Sequence, residues 1–190
     1  MPTDFKKSLD SYKAKAGEFR ILDVPPMRYL MVDGHGDPNT SPEYARAIET
    51  LYPVAYKLKF ASKRQLGEDY VVPPLEALWW ADDMSSFVTG DKSAWDWTAM
   101  NMVPEWIPSE MIGEIVPAGV RVETLEEGRA VQTLHLGPYD AEGPVLERLH
   151  HEFIPANGLT MTGRHHEIYL GDPRKTAPQK LRTILRQPVA

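Results

Sequence analysis

Hydrophobic and polar positions follow one order in two separate stretches of the chain. In the first stretch, an apolar run at Met27 to Asp33 leads into the turn-rich segment GHGDPNTSP. Apolar residues at spacings of three and four then predict an amphipathic helix from Glu43 to about Phe60. Strand patterns follow at Leu75 to Ala81 and at Trp95 to Val103. The pattern therefore predicts strand, helix, strand, strand.

The second stretch predicts the same order of elements. Its strand, helix and two closing strands are expected at Arg129 to Leu136, Ala141 to Phe153, Gly163 to Leu170, and Lys180 to Gln187. The sequence thus predicts an α+β fold with tandem βαββ repeats, joined by a helix at Ile107 to Val116. We expect pseudo-twofold symmetry and a ligand cleft between the halves. One domain would span residues 1–190, with halves at about 21–106 and about 120–189.

Local signals mark the first long helix and the loop between two strands. Ser41 is a suitable N-cap and Pro42 a suitable first-turn residue, whereas Pro53 predicts a kink or a break inside the helix. The segment DDMSSFVTGDKS, residues 82–93, reads as a loop or a hairpin connection.

Two glutamates interrupt apolar strands. Glu76 shares a predicted strand face with Leu78 and Trp80, and Glu167 lies beside Ile168 in the second copy. A carboxylate in such a strand is costly to bury unless it is paired or protonated. The sequence suggests that Glu76 and Glu167 are counterparts in the repeat, facing one acidic cleft. Alternatively, each points to solvent or pairs with an arginine, such as Arg164 or Arg129.

Aromatic residues are concentrated near these glutamates. A carboxylate beside aromatic rings suits flat cationic ligands through stacking and cation–π attraction. The predicted walls of the ligand site are Trp80, Trp97, Tyr169 and Tyr56. His165 shares a strand face with Glu167, so it either tunes that carboxyl group or lies at the surface. Part of the tryptophan content belongs to the core in any arrangement.

Composition narrows the range of functions. The 190 residues include no cysteine, which excludes disulfides, thiolate metal sites and a cysteine nucleophile. The six histidines show no recurring metal-ligand spacing, and Gly34 to Gly36 lacks the third glycine of a dinucleotide fingerprint, so we expect neither metal nor cofactor. The net charge of −6 argues against nucleic acid and for a cationic or neutral small molecule. Without a signal peptide or membrane span, a cytoplasmic protein is expected.

The chain resembles the GyrI-like small-molecule-binding family, particularly its stand-alone bacterial members, from about Phe5 to Val189. The resemblance rests on a GxGDPN turn, a PLExLWW strand, a W-x-W strand followed by proline, and a late QPV: Gly34 to Asn39, Pro74 to Trp80, Trp95 to Pro104, and Gln187 to Val189. It implies a duplicated βαββ unit that binds amphipathic, often aromatic and cationic compounds. It also implies that Glu167 is the glutamate of the ligand cleft. Some relatives carry a helix-turn-helix, which this chain lacks.

Two main functions follow from these observations. The first is a cytoplasmic binding protein that sequesters amphipathic xenobiotics, with Glu167 and Glu76 as polar anchors. The second, implied by the resemblance, is a hydrolase that opens the cyclopropane of DNA-alkylating natural products within an aromatic cage, with Glu167 or Glu76 as general base. A third possibility is inhibition of a topoisomerase through an acidic surface, although no acidic run makes that specific.

Overall fold

The computed structural model describes residues 1–82 and 90–190 as a mixed α+β fold, which confirms the predicted class. The strands found there are all antiparallel: β1 (Arg20–Val24), β2 (Met27–His35), β3 (Leu75–Trp80), β4 (Asp96–Val103), β5 (Arg121–Leu125), β6 (Gly128–Leu136), β7 (His165–Tyr169) and β8 (Arg182–Pro188). The predicted connection at residues 82–93 lies largely outside the described residues.

The helices also agree with the periodicity of the sequence. They are α1 (Phe5–Ser8), α2 (Pro42–Ala61), α3 (Ser109–Ile115), α4 (Gly143–Glu147) and α5 (Ile154–Ala156). A π-helical segment, Arg148–Phe153, joins α4 to α5, and another, Ser62–Leu66, extends α2. The predicted helix at residues 141–153 is therefore present, but it is not regular.

Helix α2 begins as the sequence predicts and continues farther than its proline suggests. The Ser41 hydroxyl accepts a hydrogen bond from the Glu43 N–H at 3.3 Å, and Pro42 occupies the first turn. The sequence predicts a kink or a break at Pro53; a break is wrong, because the helix runs without interruption to Ala61. Pro53 and Glu49 are both exposed, so water can reach the backbone carbonyl that proline leaves unpaired.

The chain forms two compact units. Unit 1 contains residues 1–8 and 27–125, with strand order β3-β4-β2-β5, and unit 2 contains residues 9–26 and 126–190, with strand order β1-β6-β8-β7. Strand β1 therefore pairs with β6, although the predicted first half began at about residue 21. Strands β1 and β5 lie at an edge of their unit's strand order and were not predicted.

Backbone pairing defines which residues correspond in the two units. In unit 1 the Gly36 N–H donates to the Trp95 carbonyl, and in unit 2 the Gly137 N–H donates to the Leu181 carbonyl, at 2.8 and 2.9 Å. These turns align β2 with β6 and β4 with β8. The pairings of β3 with β4 and of β7 with β8 complete the alignment. The predicted duplication of a βαββ element is thus visible residue by residue.

In unit 1, helix α2 covers one face of the strands. Tyr44 of α2 meets Trp79 of β3 and Trp97 of β4, with ring centroids 5.7 and 5.0 Å apart. Trp97 lies directly against Gly34 of β2, where a Cβ atom would overlap the indole ring. This face is an aromatic core.

In unit 2, the helical stretch from α4 to α5 covers the corresponding face. Val131 of β6 clusters there with Leu149 and Ile154, and Phe19 and Phe153 pack against the cluster. Because side chains alternate along a strand, Thr133 of β6 points to the same side as Val131. The Glu167 face of β7 is therefore the helix-covered face.

Candidate functional site

Glu167 is the centre of a buried group of hydrogen bonds in unit 2. Its carboxylate accepts a bond from the Tyr169 hydroxyl at 2.9 Å and lies 2.9 Å from Nε2 of His165. Alternation along β7 places the three side chains on one face. Only 8% of Glu167 and 7% of His165 is exposed. His165 therefore shares the face of Glu167, as the alternation predicts, and it is buried beside that carboxylate and not at the surface.

Glu142, from the turn that precedes α4, adds a second carboxyl group. Burial opposes ionisation of Glu167, but hydrogen bonds with His165, Glu142 and Tyr169 outweigh it, so the pKa of Glu167 is lowered. The cluster of Glu142, His165, Glu167 and Tyr169, here called the Glu167 cluster, is a buried carboxylate surrounded by donors.

Further polar atoms line the same helix-covered face. Oγ1 of Thr133, Oγ1 of Thr183, Nε2 of His150 and Nδ1 of His165 are buried and make no hydrogen bond within the described residues. The His150 ring, from the π-helical segment, meets the His165 ring edge-on with centroids 5.9 Å apart. Burial and the nearby His165 and His151 lower the pKa of His150 to about 4, so its ring is neutral at pH 7.

Strand register brings the two threonines next to the Glu167 cluster. Thr133 pairs with Leu185, which pairs in turn with Glu167, and Thr183 pairs with Tyr169. Directly paired residues have Cβ atoms about 5 Å apart, and diagonal neighbours lie at about 7–8 Å. Thr183 is therefore a diagonal neighbour of both Glu167 and Thr133, whereas Leu185 lies between Thr133 and Glu167 on the same face.

The positions of unit 1 that match the Glu167 cluster and the two threonines are apolar or aromatic. On β7, His165, Glu167 and Tyr169 correspond to Leu75, Ala77 and Trp79 of β3. On the neighbouring strands, Thr133 corresponds to Val32 and Thr183 to Trp97. The Trp97 indole N–H has no partner in the described chain, but no carboxylate, hydroxyl or imidazole occupies these positions in unit 1. The same fold thus carries a hydrophobic core in one unit and a polar cluster in the other.

Glu76 occupies a different environment in unit 1. It is fully buried, accepts a hydrogen bond from the Tyr29 hydroxyl at 3.1 Å, and lies on the face opposite α2. Pairing with Met100 aligns it with His166, which pairs with Arg186. The prediction that Glu76 and Glu167 are counterparts is therefore wrong by one residue. A shift of one residue moves a side chain to the other face of a strand.

The predicted aromatic walls are distributed over several surfaces. Trp80 is partly buried and shares the Glu76 face, as the alternation predicts. Trp97 is fully buried on the opposite, helix-covered face, so the structure does not bring it to Glu76. Tyr56 is 46% exposed on α2 beside Phe60. Tyr169 contacts Glu167 through its hydroxyl, and its ring meets Tyr139 with centroids 5.5 Å apart.

Sequence reasoning missed several residues of this face. Glu142, Thr133, Thr183 and His150 were not predicted. A threonine alternating with apolar residues is a weak signal, and the π-helical segment shifts the helical phase, so spacing alone does not assign His150 to a face. A search for polar residues at strand positions that are apolar in the other copy would have found the threonines.

Within residues 1–82 and 90–190, His, Asp and Glu side chains form no group of three or more suited to hold a metal ion. Over the same ranges, no helix combines the length and the apolar character needed to cross a bilayer.

The chain is similar to one family of known proteins and to several solved structures. The model of the GyrI-like small molecule binding domain matches residues 17–190. A conserved protein of Listeria innocua is 37% identical over 99% of this chain and 100% of its own, with a TM-score of 0.89. Two structures named as hydrolases from Listeria innocua are 36% and 35% identical, with TM-scores of 0.84 and 0.85; they match 99% and 100% of this chain and all of their own. A search of the curated proteins finds no match.

Proposed function

The chain belongs to the GyrI-like small-molecule-binding family, and we propose that it binds amphipathic, aromatic, often cationic molecules through the Glu167 cluster. The contrast between the two units carries this proposal. Unit 1 folds with Ala77, Val32 and Trp97 where unit 2 has Glu167, Thr133 and Thr183. Because buried polar groups reduce stability unless they are paired, their presence in unit 2 supports a binding role.

The chemistry of the cluster favours a positively charged ligand. Glu167 is buried and its pKa is lowered, so its carboxylate is negatively charged at pH 7. A cation neutralises that charge without removing the hydrogen bonds from Tyr169 and His165. The edge-to-face rings of Tyr139 and Tyr169 offer an aromatic surface to a flat cation. Sequestration of amphipathic xenobiotics would follow from binding alone.

A pair of glutamine variants tests the proposal. Glu167→Gln keeps the shape of the side chain and removes its charge, and Glu76→Gln makes the same change at a fully buried position of unit 1. Dye affinities are measured by fluorescence titration with rhodamine 6G, which is a cation, and with an uncharged rhodamine analogue. Glu167→Gln is expected to reduce the affinity for rhodamine 6G at least tenfold, which is about 1.4 kcal/mol of binding free energy. The uncharged analogue should change much less.

Two outcomes would contradict this assignment. If Glu167→Gln reduces the affinity for both dyes equally, the loss reflects altered packing and not the removed charge. If Glu76→Gln weakens rhodamine 6G as strongly as Glu167→Gln does, the anchor is not specific to the Glu167 cluster.

Hydrolysis of a cyclopropane-containing DNA alkylator is the second candidate function. The observation that favours it is the hydrogen-bonded set of Glu142, Glu167 and His165, which offers a site where a proton can be accepted and passed on. The name of hydrolase given to two similar Listeria innocua structures supports the same chemistry. Water would add across the strained C–C bond: its hydroxyl joins one carbon, and its proton passes through Glu167 to the other end of the opened ring system.

Mass spectrometry separates this reaction from binding alone. A cyclopropane-containing alkylator incubated with catalytic amounts of protein should gain the mass of one water with multiple turnovers, and Glu167→Gln should abolish the gain. Recovery of unchanged alkylator with bound protein would exclude the hydrolase and leave the binding function.

A further inference from the structure

Beside the Glu167 cluster, four buried polar atoms face the same side of unit 2 without a partner in the described chain: Oγ1 of Thr133, Oγ1 of Thr183, Nε2 of His150 and Nδ1 of His165. We propose that these atoms form a subsite for an uncharged hydroxyl or carbonyl oxygen of the ligand, here called the oxygen subsite. The inference rests on the proposed binding function and specifies the ligand: an aromatic cation that carries a neutral oxygen group near its charge.

The first support is the energetic cost of the arrangement. A buried polar atom without a hydrogen bond costs about 1–3 kcal/mol. Thr133 and Thr183 are 1% and 0% exposed, and His165 is 7% exposed. Several such atoms on one face lower the stability considerably for a domain whose total unfolding free energy is about 5–15 kcal/mol. A ligand group that bonds to them recovers that free energy on binding.

The second support is the duplication. At the positions of Thr133 and Thr183, unit 1 has Val32 and Trp97. Valine has nearly the shape of threonine, so the packing of this strand position does not require a hydroxyl. The polar atoms therefore distinguish unit 2 and its ligand from the common fold.

The third support is the charge balance, which selects a neutral oxygen. His165 already uses Nε2 toward Glu167, and His150 is neutral at pH 7, so Nδ1 of His165 and Nε2 of His150 offer a ligand hydrogen bonds. An anionic ligand group would be repelled by Glu167. Threonine hydroxyls both donate and accept, which suits a hydroxyl or a carbonyl group.

Isothermal titration with matched cations tests the oxygen subsite. The probes are phenyltrimethylammonium and its 3-hydroxy and 4-hydroxy derivatives, which share the cation and differ in one hydroxyl group. The wild type is expected to bind at least one hydroxy derivative about tenfold more tightly than the parent compound. In Thr133→Val/Thr183→Val that ratio should fall to about one. Thr98→Val is the control, because Thr98 is a fully buried threonine of unit 1 whose hydroxyl donates to Asp33.

The outcomes separate this inference from the proposed function. An equal affinity of wild type for all three compounds, or an unchanged ratio in the double variant, would overturn the oxygen subsite while parent binding that depends on Glu167 stands. Absence of parent binding, or parent binding unaffected by Glu167→Gln, would overturn the proposed function and the subsite with it. The double variant should unfold at or above the wild-type temperature, because valine removes two buried hydroxyls without partners. If Thr98→Val also loses the preference for the hydroxy derivative over the parent compound, the effect reflects general destabilisation and the oxygen subsite is overturned.

Discussion

Glu127 is expected to be one of the largest single electrostatic contributors to the stability of unit 2. Its carboxylate lies 2.9 Å from Nδ1 of His166 and accepts a hydrogen bond from Arg186 at 2.9 Å. Arg186 also donates to Gln132 and to the Ser11 carbonyl. Since Arg186 and His166 are fully buried, replacement of Glu127 by glutamine leaves a buried guanidinium without its counter-charge.

The pKa of Glu127 indicates the size of the effect. Burial alone would raise this pKa, but His166 and Arg186 lower it from 4.5 to about 2. One pKa unit corresponds to about 1.4 kcal/mol, so ionised Glu127 stabilises the folded state by about 3 kcal/mol at neutral pH. Because the folded pKa lies below the unfolded one, this stabilisation is complete above about pH 4.5 and is lost as the pH falls toward 2.

Urea unfolding of the wild type, Glu127→Gln and the exposed neighbour variant Glu126→Gln provides the assay. At pH 7 we expect Glu127→Gln to lose about 3 kcal/mol of unfolding free energy and Glu126→Gln to lose less than about 0.5 kcal/mol. The deficit of Glu127→Gln should shrink between pH 4.5 and 3. A deficit that stays constant over this range, or one below about 1 kcal/mol at pH 7, would refute the reasoning. Arg186→Met, which copies Met100 of unit 1, should show coupling with Glu127→Gln in a double-mutant cycle.

Two further predictions concern packing and protonation. Gly34→Ala should lower the unfolding free energy by about 2–3 kcal/mol in chemical unfolding, because the new Cβ would overlap the ring of Trp97. Gly113→Ala, at an open position of α3, should raise it by about 1 kcal/mol. Equal effects of the two variants would contradict the packing argument. His150 has a lowered pKa of about 4, through burial and the nearby His165, so it stabilises the fold fully above about pH 6.5 and loses that contribution as the pH falls toward 4. In His150→Gln the unfolding free energy should vary less over that range, and a slope as steep as that of the wild type would exclude this group.

The candidate site was predictable where the signal is carried by neighbours on one strand. Alternation along β7 places His165, Glu167 and Tyr169 on one face, and the structure joins them by hydrogen bonds of 2.9 Å. Glu142 and His150 approach Glu167 and His165 from the helical stretch, where only the packing of that stretch on the strands defines the contact. No pattern within the sequence of either segment contains that information.

The amino-acid sequence by itself determined the α+β class, the order of elements in each copy, the start of α2 at Ser41 and Pro42, and the face shared by His165 and Glu167. Each of these depends on interactions between residues close in the chain, which periodicity and capping preferences express directly. Only the tertiary structure decided that Glu167 corresponds to Ala77 and not to Glu76, and that β1 pairs with β6. Strand register is set by hydrogen bonds between distant segments, and a shift of one residue exchanges a core position for the opposite face.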